Sequence, residues 1–112
     1  MAHYADTSNY TDEELLLWNR LIELQHEKQL QSEKFKTARV FHTARGLEFT
    51  YHITGNELFI DRKEKSITRS TVNMAYKRAL QLGKVSGPKK LQVFGASYLY
   101  PIFLEMGVCS KE

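Results

Sequence analysis

The sequence predicts a single α+β domain within its 112 residues, a length typical of one folded unit. Three observations indicate this class. Apolar residues recur at helical spacing after Thr11, alternate with polar residues from Leu47 to Thr54, and return to helical spacing after Ser66. We therefore expect a long N-terminal helix, an antiparallel β-hairpin that a third strand can extend, a basic helix and a short C-terminal helix.

The globular part is predicted to span residues 11–108, between a flexible N-terminus at 1–10 and a C-terminal tail at 109–112. The composition, 42% hydrophobic and 26% charged, is that of an ordinary folded protein. Met1–Tyr10 lacks the apolar run of a secretory signal, and no segment approaches the roughly 20 apolar residues of a membrane span. A cytoplasmic protein without cofactor is the expectation. The lone Cys109 excludes an intrachain disulfide.

The N-terminal helix is predicted to begin at Thr11, because Thr11 and Glu14 have the spacing of a capping box. Trp18 belongs to its apolar stripe and is expected in the core. Beyond Gln25 the apolar residues thin out, so the helix either ends near Ser32 or projects as a solvated rod.

The hairpin is predicted from two strands whose apolar sides coincide around a Gly55–Asn56 turn. In that register Ile53 faces Leu58 and Tyr51 faces Ile60, with Phe49 opposite Arg62. Residues 38–42 are either a third strand or part of a helix that continues to Gly46, and the strand is favoured.

The basic helix is predicted over Ser66–Leu82, with Ser66 or Thr68 as its cap and Gly83 as its stop. Its buried stripe is expected to contain Val72, Ala75, Tyr76, Ala79 and Leu80. Four residues at four-residue steps are expected to form the opposite, exposed ridge, with Ser70 beside it: Arg69, Asn73, Lys77 and Gln81.

The C-terminal helix is expected from the most apolar segment of the chain, which Gly107 ends. A start near Tyr98 would place Pro101 in the first turn, where proline is tolerated. Pro88 either opens a short helix or leads into a short strand that Gly95 ends. Tyr98 and Tyr100 are read mainly as core residues, with stacking on unpaired bases as the alternative.

Charge is distributed unevenly along the chain. Residues 62–90 hold nine basic side chains and one acidic one, whereas residues 1–33 hold seven acidic and two basic ones. A basic segment of this kind attracts phosphate or an acidic protein surface. We therefore predict a small nucleic-acid-binding protein, with duplex DNA as the favoured target and regulation as its role. The predicted contact residues are Arg62, Lys63, Lys65, Ser66, Thr68, Arg69, Ser70, Thr71, Asn73, Lys77, Gln81, Lys84, Lys89 and Lys90.

The start of the basic helix resembles the Ser-Arg-x-Thr-Val-x-x-Ala pattern of recognition helices in bacterial helix-turn-helix and winged-helix repressors. The matching residues are Thr68, Arg69, Ser70, Thr71, Val72, Ala75 and Leu80. The resemblance implies that Arg69, Ser70 and Asn73 face the DNA groove. It further implies that Thr71 contacts phosphate and that Val72 and Ala75 anchor the helix to the core.

Two other functions remain open at this stage. A phage or mobile-element protein that inhibits a host protein would also present an acidic and a basic face, with Tyr4 and Phe59 as anchors. A Mg²⁺-dependent nuclease would use Glu48, Asp61 and Lys63, although we expect no catalytic or metal site. Dimerisation through the first helix is a further expectation.

Overall fold

The computed structural model describes residues 10–26 and 38–111 and confirms the α+β class. Within these residues three α-helices pack with short strands, most of them antiparallel. The elements are α1 (Asp12–Leu24), β1 (Phe41–His42), β2 (Glu48–Phe49), β3 (Tyr51–Thr54), β4 (Glu57–Ile60), β5 (Ile67–Thr68), α2 (Arg69–Leu82), β6 (Lys84–Val85), a 3₁₀ helix (Pro88–Leu91), α3 (Ala96–Met106) and β7 (Ser110–Lys111).

Helix α1 begins at the predicted capping box. The backbone N–H of Thr11 donates to Glu14 Oε1 at 2.9 Å, and that of Glu14 donates to Thr11 Oγ1 at 3.1 Å. Both predictions for its end are wrong, because the helix stops at Leu24. Gln25 ties this end to the sheet, since its side chain accepts the N–H of Ile53 at 2.9 Å. Ser32 lies outside the described residues.

The predicted hairpin is confirmed in its register. Strands β3 and β4 pair Tyr51 with Ile60 and Ile53 with Leu58, and β5 joins them as the third antiparallel strand. The strand expected at residues 38–42 is present as the shorter β1. It pairs with β2 in a separate two-stranded sheet, whereas the third strand of the hairpin's sheet is β5.

The strand expected from Leu47 to Thr54 is interrupted at Thr50. The N–H of Thr50 donates to Asp61 Oδ1 at 3.0 Å, and the N–H of Asp61 donates to the Thr50 carbonyl at 3.1 Å. Before this point the chain pairs with β1, so Phe49 lies opposite Phe41 and not opposite Arg62. Arg62 instead donates through Nε to the carbonyl of Glu48.

The core lies where α1, α2 and α3 meet the sheets. Trp18 is buried as predicted, and its indole Nε1 donates to the Gly55 carbonyl at 3.2 Å. Tyr51 and Tyr100 are buried with their hydroxyls satisfied, because they donate to the carbonyls of Leu21 and Val85, each at 2.7 Å. The rings therefore pack without leaving an unpaired polar group.

Helix α2 is capped by Thr68 and followed by Gly83, as predicted. Its buried stripe differs from the prediction at Leu80, which is exposed. Helix α3 also differs, because it starts at Ala96 and so carries Pro101 inside the helix. Proline has no N–H to donate to the carbonyl four residues earlier, that of Ser97.

Residues 109–111 belong to the fold, which corrects the tail predicted at 109–112 for these residues. Glu112 lies outside the described residues. Ser110 and Lys111 form β7 and pair in parallel with Lys84 and Val85. Cys109 is buried beside them, and burial raises the pKa of its thiol. None of the helices in the described residues combines the length and apolar character needed to cross a membrane.

Candidate nucleic-acid interface

The ridge predicted on α2 faces α1, which changes the role of its first residue. The Cζ atom of Arg69 lies 4.2 Å from the ring centroid of Tyr10 and 5.0 Å from that of Trp18. One guanidinium nitrogen donates to Asn56 Oδ1 at 3.0 Å. Both aromatic faces attract the cation, and the amide oxygen fixes its plane. Arg69 therefore links α1, the hairpin turn and α2.

The next two ridge residues are also used inside the protein. Asn73 is only 6% exposed, so its predicted place on an exposed ridge is wrong. Lys77 Nζ lies 3.3 Å from Glu14 Oε2. The Thr11 backbone N–H and this ammonium hold the pKa of Glu14 below its ordinary value, against the opposing effect of burial. Of the four ridge positions, Lys77 and Gln81 are exposed.

The hydroxyls at the start of α2 bind neighbouring groups of the chain. Thr68 Oγ1 accepts the N–H of Thr71 at 3.2 Å and lies 2.9 Å from Thr71 Oγ1. The hydroxyl of Ser66 donates to the carboxylate of Glu57. Helix α2 is entered directly from β5, so the preceding helix of the repressor motif has no counterpart at this point of the chain.

A cleft on another side of the molecule brings together cations that lie far apart in the sequence. It has a volume of about 630 Å³ and lies between the β1–β2 turn, the segment after β4 and the start of α3. The lining residues are Thr43, Ala44, Arg45, Leu47, Lys63, Pro88, Lys89, Gln92, Val93, Phe94, Gly95, Ala96, Ser97 and Tyr98. We call this site the basic cleft.

Three lining residues of the basic cleft are cations: Arg45, Lys63 and Lys89. None of its lining residues, all in the described part of the chain, is acidic. Within residues 10–26 and 38–111, no carboxylate lies within 4.0 Å of these three charged groups. The cleft is therefore a concave surface of one charge sign, which concentrates anions near it.

Two aromatic rings accompany these cations. Phe94 is 49% exposed, although it is a large apolar residue. Lys63 Nζ lies 4.7 Å from the ring centroid of Phe94 and 5.7 Å from that of Tyr98. Tyr98 packs edge-on against buried Phe49, with ring centroids 5.0 Å apart. Tyr98 is thus fixed from behind, while Phe94 presents its ring to solvent beside an ammonium group.

The backbone that carries Phe94 is constrained at both ends. Gln92 has a φ of 57°, and its N–H donates to the Lys89 carbonyl at 3.2 Å. Gly95 has a φ of 80°, and a Cβ at this position would lie 2.3 Å from Ile67 Cδ1. Glycine is therefore required there on two grounds, conformation and space. The exposed ring is held in place by the fold.

The structure separates the predicted contact residues into two groups. Lys63 and Lys89 line the basic cleft. Lys90 follows Lys89 in the 3₁₀ helix but is not part of the lining, and its carbonyl accepts from Arg78 Nε at 3.2 Å. The remaining predicted residues lie outside its lining: Arg62, Lys65, Ser66, Thr68, Arg69, Ser70, Thr71, Asn73, Lys77, Gln81 and Lys84.

Sequence reasoning missed Arg45 and Phe94. Arg45 precedes the basic segment, in the tight turn where the Gly46 N–H donates to the Thr43 carbonyl at 2.9 Å. The sequence signal for Arg45 is an arginine directly before a glycine, between two predicted β segments. The signal for Phe94 is an aromatic residue directly before a glycine. Tyr100, considered for stacking beside Tyr98, is buried.

The residues proposed for a nuclease have other partners. Asp61 accepts the Thr50 N–H, and Glu48 Oε2 lies 3.5 Å from His42 Nε2. Among residues 10–26 and 38–111, no group of three or more His, Cys, Asp or Glu side chains is arranged to hold a metal ion.

No protein-family model, curated protein or solved structure matches this chain. Its function must therefore be inferred from its own residues and their geometry.

Proposed function

We propose that this protein binds nucleic acid and that it does so through the basic cleft. The supporting observation is the placement of Arg45, Lys63 and Lys89 with two aromatic rings around one concavity whose lining contains no carboxylate. A phosphodiester backbone supplies the negative charge that such a surface attracts, and its bases supply flat faces for the rings.

The proposal transfers the binding surface from α2 to the cleft. Arg69 and Lys77 already have intramolecular partners, and contact with phosphate would require breaking them. Lys63 and Lys89 have no such ion pair among the described residues, so phosphate binding breaks no ion pair of theirs. A regulatory role and a cytoplasmic location stay expectations from the sequence.

The test is a fluorescence anisotropy titration with single-stranded and duplex oligonucleotides at two salt concentrations. We expect affinity to fall steeply with salt, because neutralised phosphates release counterions. Lys89→Gln is expected to weaken binding and to lower the slope of log K against log salt by about 0.7 to 0.9.

Lys84→Gln is the matched control, since Lys84 is exposed and lies outside the cleft lining. Equal effects of the two substitutions would contradict binding at the cleft. The absence of binding to any oligonucleotide at low salt would contradict the function itself and leave inhibition of a protein partner as the alternative.

A further inference from the structure

We propose that the basic cleft selects single-stranded nucleic acid by stacking an unpaired base on Phe94. This inference rests on the proposed function and names the form of nucleic acid that the site takes. It replaces the duplex DNA expected from the sequence.

The exposure of Phe94 is the first reason. Phe94 is about half exposed although it is a large apolar residue, and apolar surface in water costs free energy in the unbound protein. The backbone next to it has positive φ values at Gln92 and Gly95. A base covers such a ring with a flat apolar face of comparable size. In a duplex both faces of each base are covered by neighbouring base pairs, so only an unpaired base offers a free face.

The position of Lys63 is the second reason. Its ammonium lies close to both rings, at 4.7 Å from the Phe94 centroid and 5.7 Å from the Tyr98 centroid. The ammonium covers one face of the Phe94 ring, so the base stacks on the opposite face, and the same ammonium is close enough to meet the phosphate of that nucleotide. Arg45 and Lys89, also in the lining, then bind the phosphates of the neighbouring nucleotides.

The size of the cleft is the third reason. Its volume of about 630 Å³ lies within the range of roughly 300–1,000 Å³ that sites for small organic ligands occupy. A nucleotide enters a concavity of that size with its base. A duplex remains at the rim, where it meets the exposed Arg45 and Lys89 but does not stack on Phe94.

The experiment compares Phe94→Leu, Phe94→Trp and the unmodified protein on three fluorescent ligands. These are an oligothymidine of about ten nucleotides, an abasic strand of the same length and a duplex. We expect Phe94→Leu to lose about 5- to 150-fold in affinity for the oligothymidine, the range found for one stacked base. The unmodified protein is expected to bind the abasic strand more weakly than the oligothymidine, by a similar factor.

Phe94→Trp provides a direct readout of stacking. Its affinity for the oligothymidine is expected to equal or exceed that of the unmodified protein, and its indole fluorescence is expected to be quenched by the oligothymidine but not by the abasic strand. Leu16→Ala is the control for loss of an exposed apolar side chain, because Leu16 is 60% exposed on α1 and lies outside the cleft lining. We expect it to change affinity less than about twofold, below the effect of one lost stacked base.

The outcomes separate this inference from the function on which it rests. Duplex binding as tight as single-strand binding, with Phe94→Leu unchanged on both, overturns stacking and retains nucleic-acid binding. Failure to bind any of the three ligands at low salt overturns both. Circular dichroism on each variant shows whether it is folded, and exposed Phe94 is expected to be dispensable for folding.

Discussion

Two basic regions of this molecule differ in what their cations contact. On the side of α2 that faces α1, Arg69 is held between aromatic rings and Lys77 pairs with Glu14. In the basic cleft, Arg45 and Lys89 are exposed, and no carboxylate belongs to the lining. The comparison teaches that a sequence identifies the basic residues but does not show which of them stabilise the fold. Only the packing of α1 against α2 makes that distinction.

The largest expected effect concerns the backbone of the cleft. Gly95→Ala forces a positive φ on alanine and drives its Cβ to within 2.3 Å of Ile67 Cδ1. We expect a loss of about 3 kcal/mol in the free energy of unfolding, from strain and overpacking together. Urea denaturation measures it. Gly46→Ala is the control, because Gly46 also has a positive φ but has nothing within 4 Å of a new Cβ. Equal losses in both variants would show that the contact with Ile67 does not matter.

The second prediction tests whether Arg69 serves the fold. Arg69→Ala removes a cation from two aromatic rings and a hydrogen bond to Asn56. We expect the free energy of unfolding to fall by about 2 kcal/mol. The affinity for oligonucleotides is expected to stay within about twofold of that of the unmodified protein. This change is smaller than the loss of one phosphate contact would cause.

Lys65→Ala is the control for general charge loss, because Lys65 is exposed and lies outside the cleft lining. Chemical denaturation and anisotropy on the same preparations give both quantities. If the Arg69→Ala protein is as stable as the control but binds oligonucleotides much more weakly, the binding surface lies on α2.

The smallest expected effect concerns Glu14, which belongs to the same α1–α2 contact. Its pKa in the folded protein lies below the ordinary value of 4.5, so the stabilisation is present above pH 4.5 and is lost as the pH falls through the lower folded-state pKa. Glu14→Gln is expected to cost about 1 kcal/mol at pH 7 and to reduce the loss of stability on acidification. Urea unfolding at pH 7 and in the acid range provides the comparison. An unchanged acid dependence in the variant would mean that other carboxylates govern it.

The features that the sequence predicted correctly are local ones. The capping box at Thr11, the cap at Thr68 and the Gly55–Asn56 hairpin depend on residues a few positions apart. Their chemistry is complete within the segment, so the pattern is enough to recognise them. The α+β class follows from the same signals.

The features that it missed depend on residues distant in the chain. The break at Thr50 is made by Asp61, and the end of α1 is held by a bond from Ile53 to Gln25. Asn73 is buried by the residues that pack against α2. The spacing of residues along one helix does not show which of its faces another element covers. The basic cleft combines segments around residues 45, 63, 89 and 94, and their meeting is a property of the fold.

The most direct test compares two triple variants with the same change in net charge. Arg45, Lys63 and Lys89 are replaced by Gln in one. In the other, Lys65, Lys84 and Lys111 are replaced, all exposed and outside the cleft lining. The salt dependence of oligothymidine binding is then measured for each. We expect the cleft variant to lower the slope of log K against log salt by about 2, and the control variant to leave it nearly unchanged. Equal slopes in the two variants would contradict the claim that the cleft is where phosphate binds.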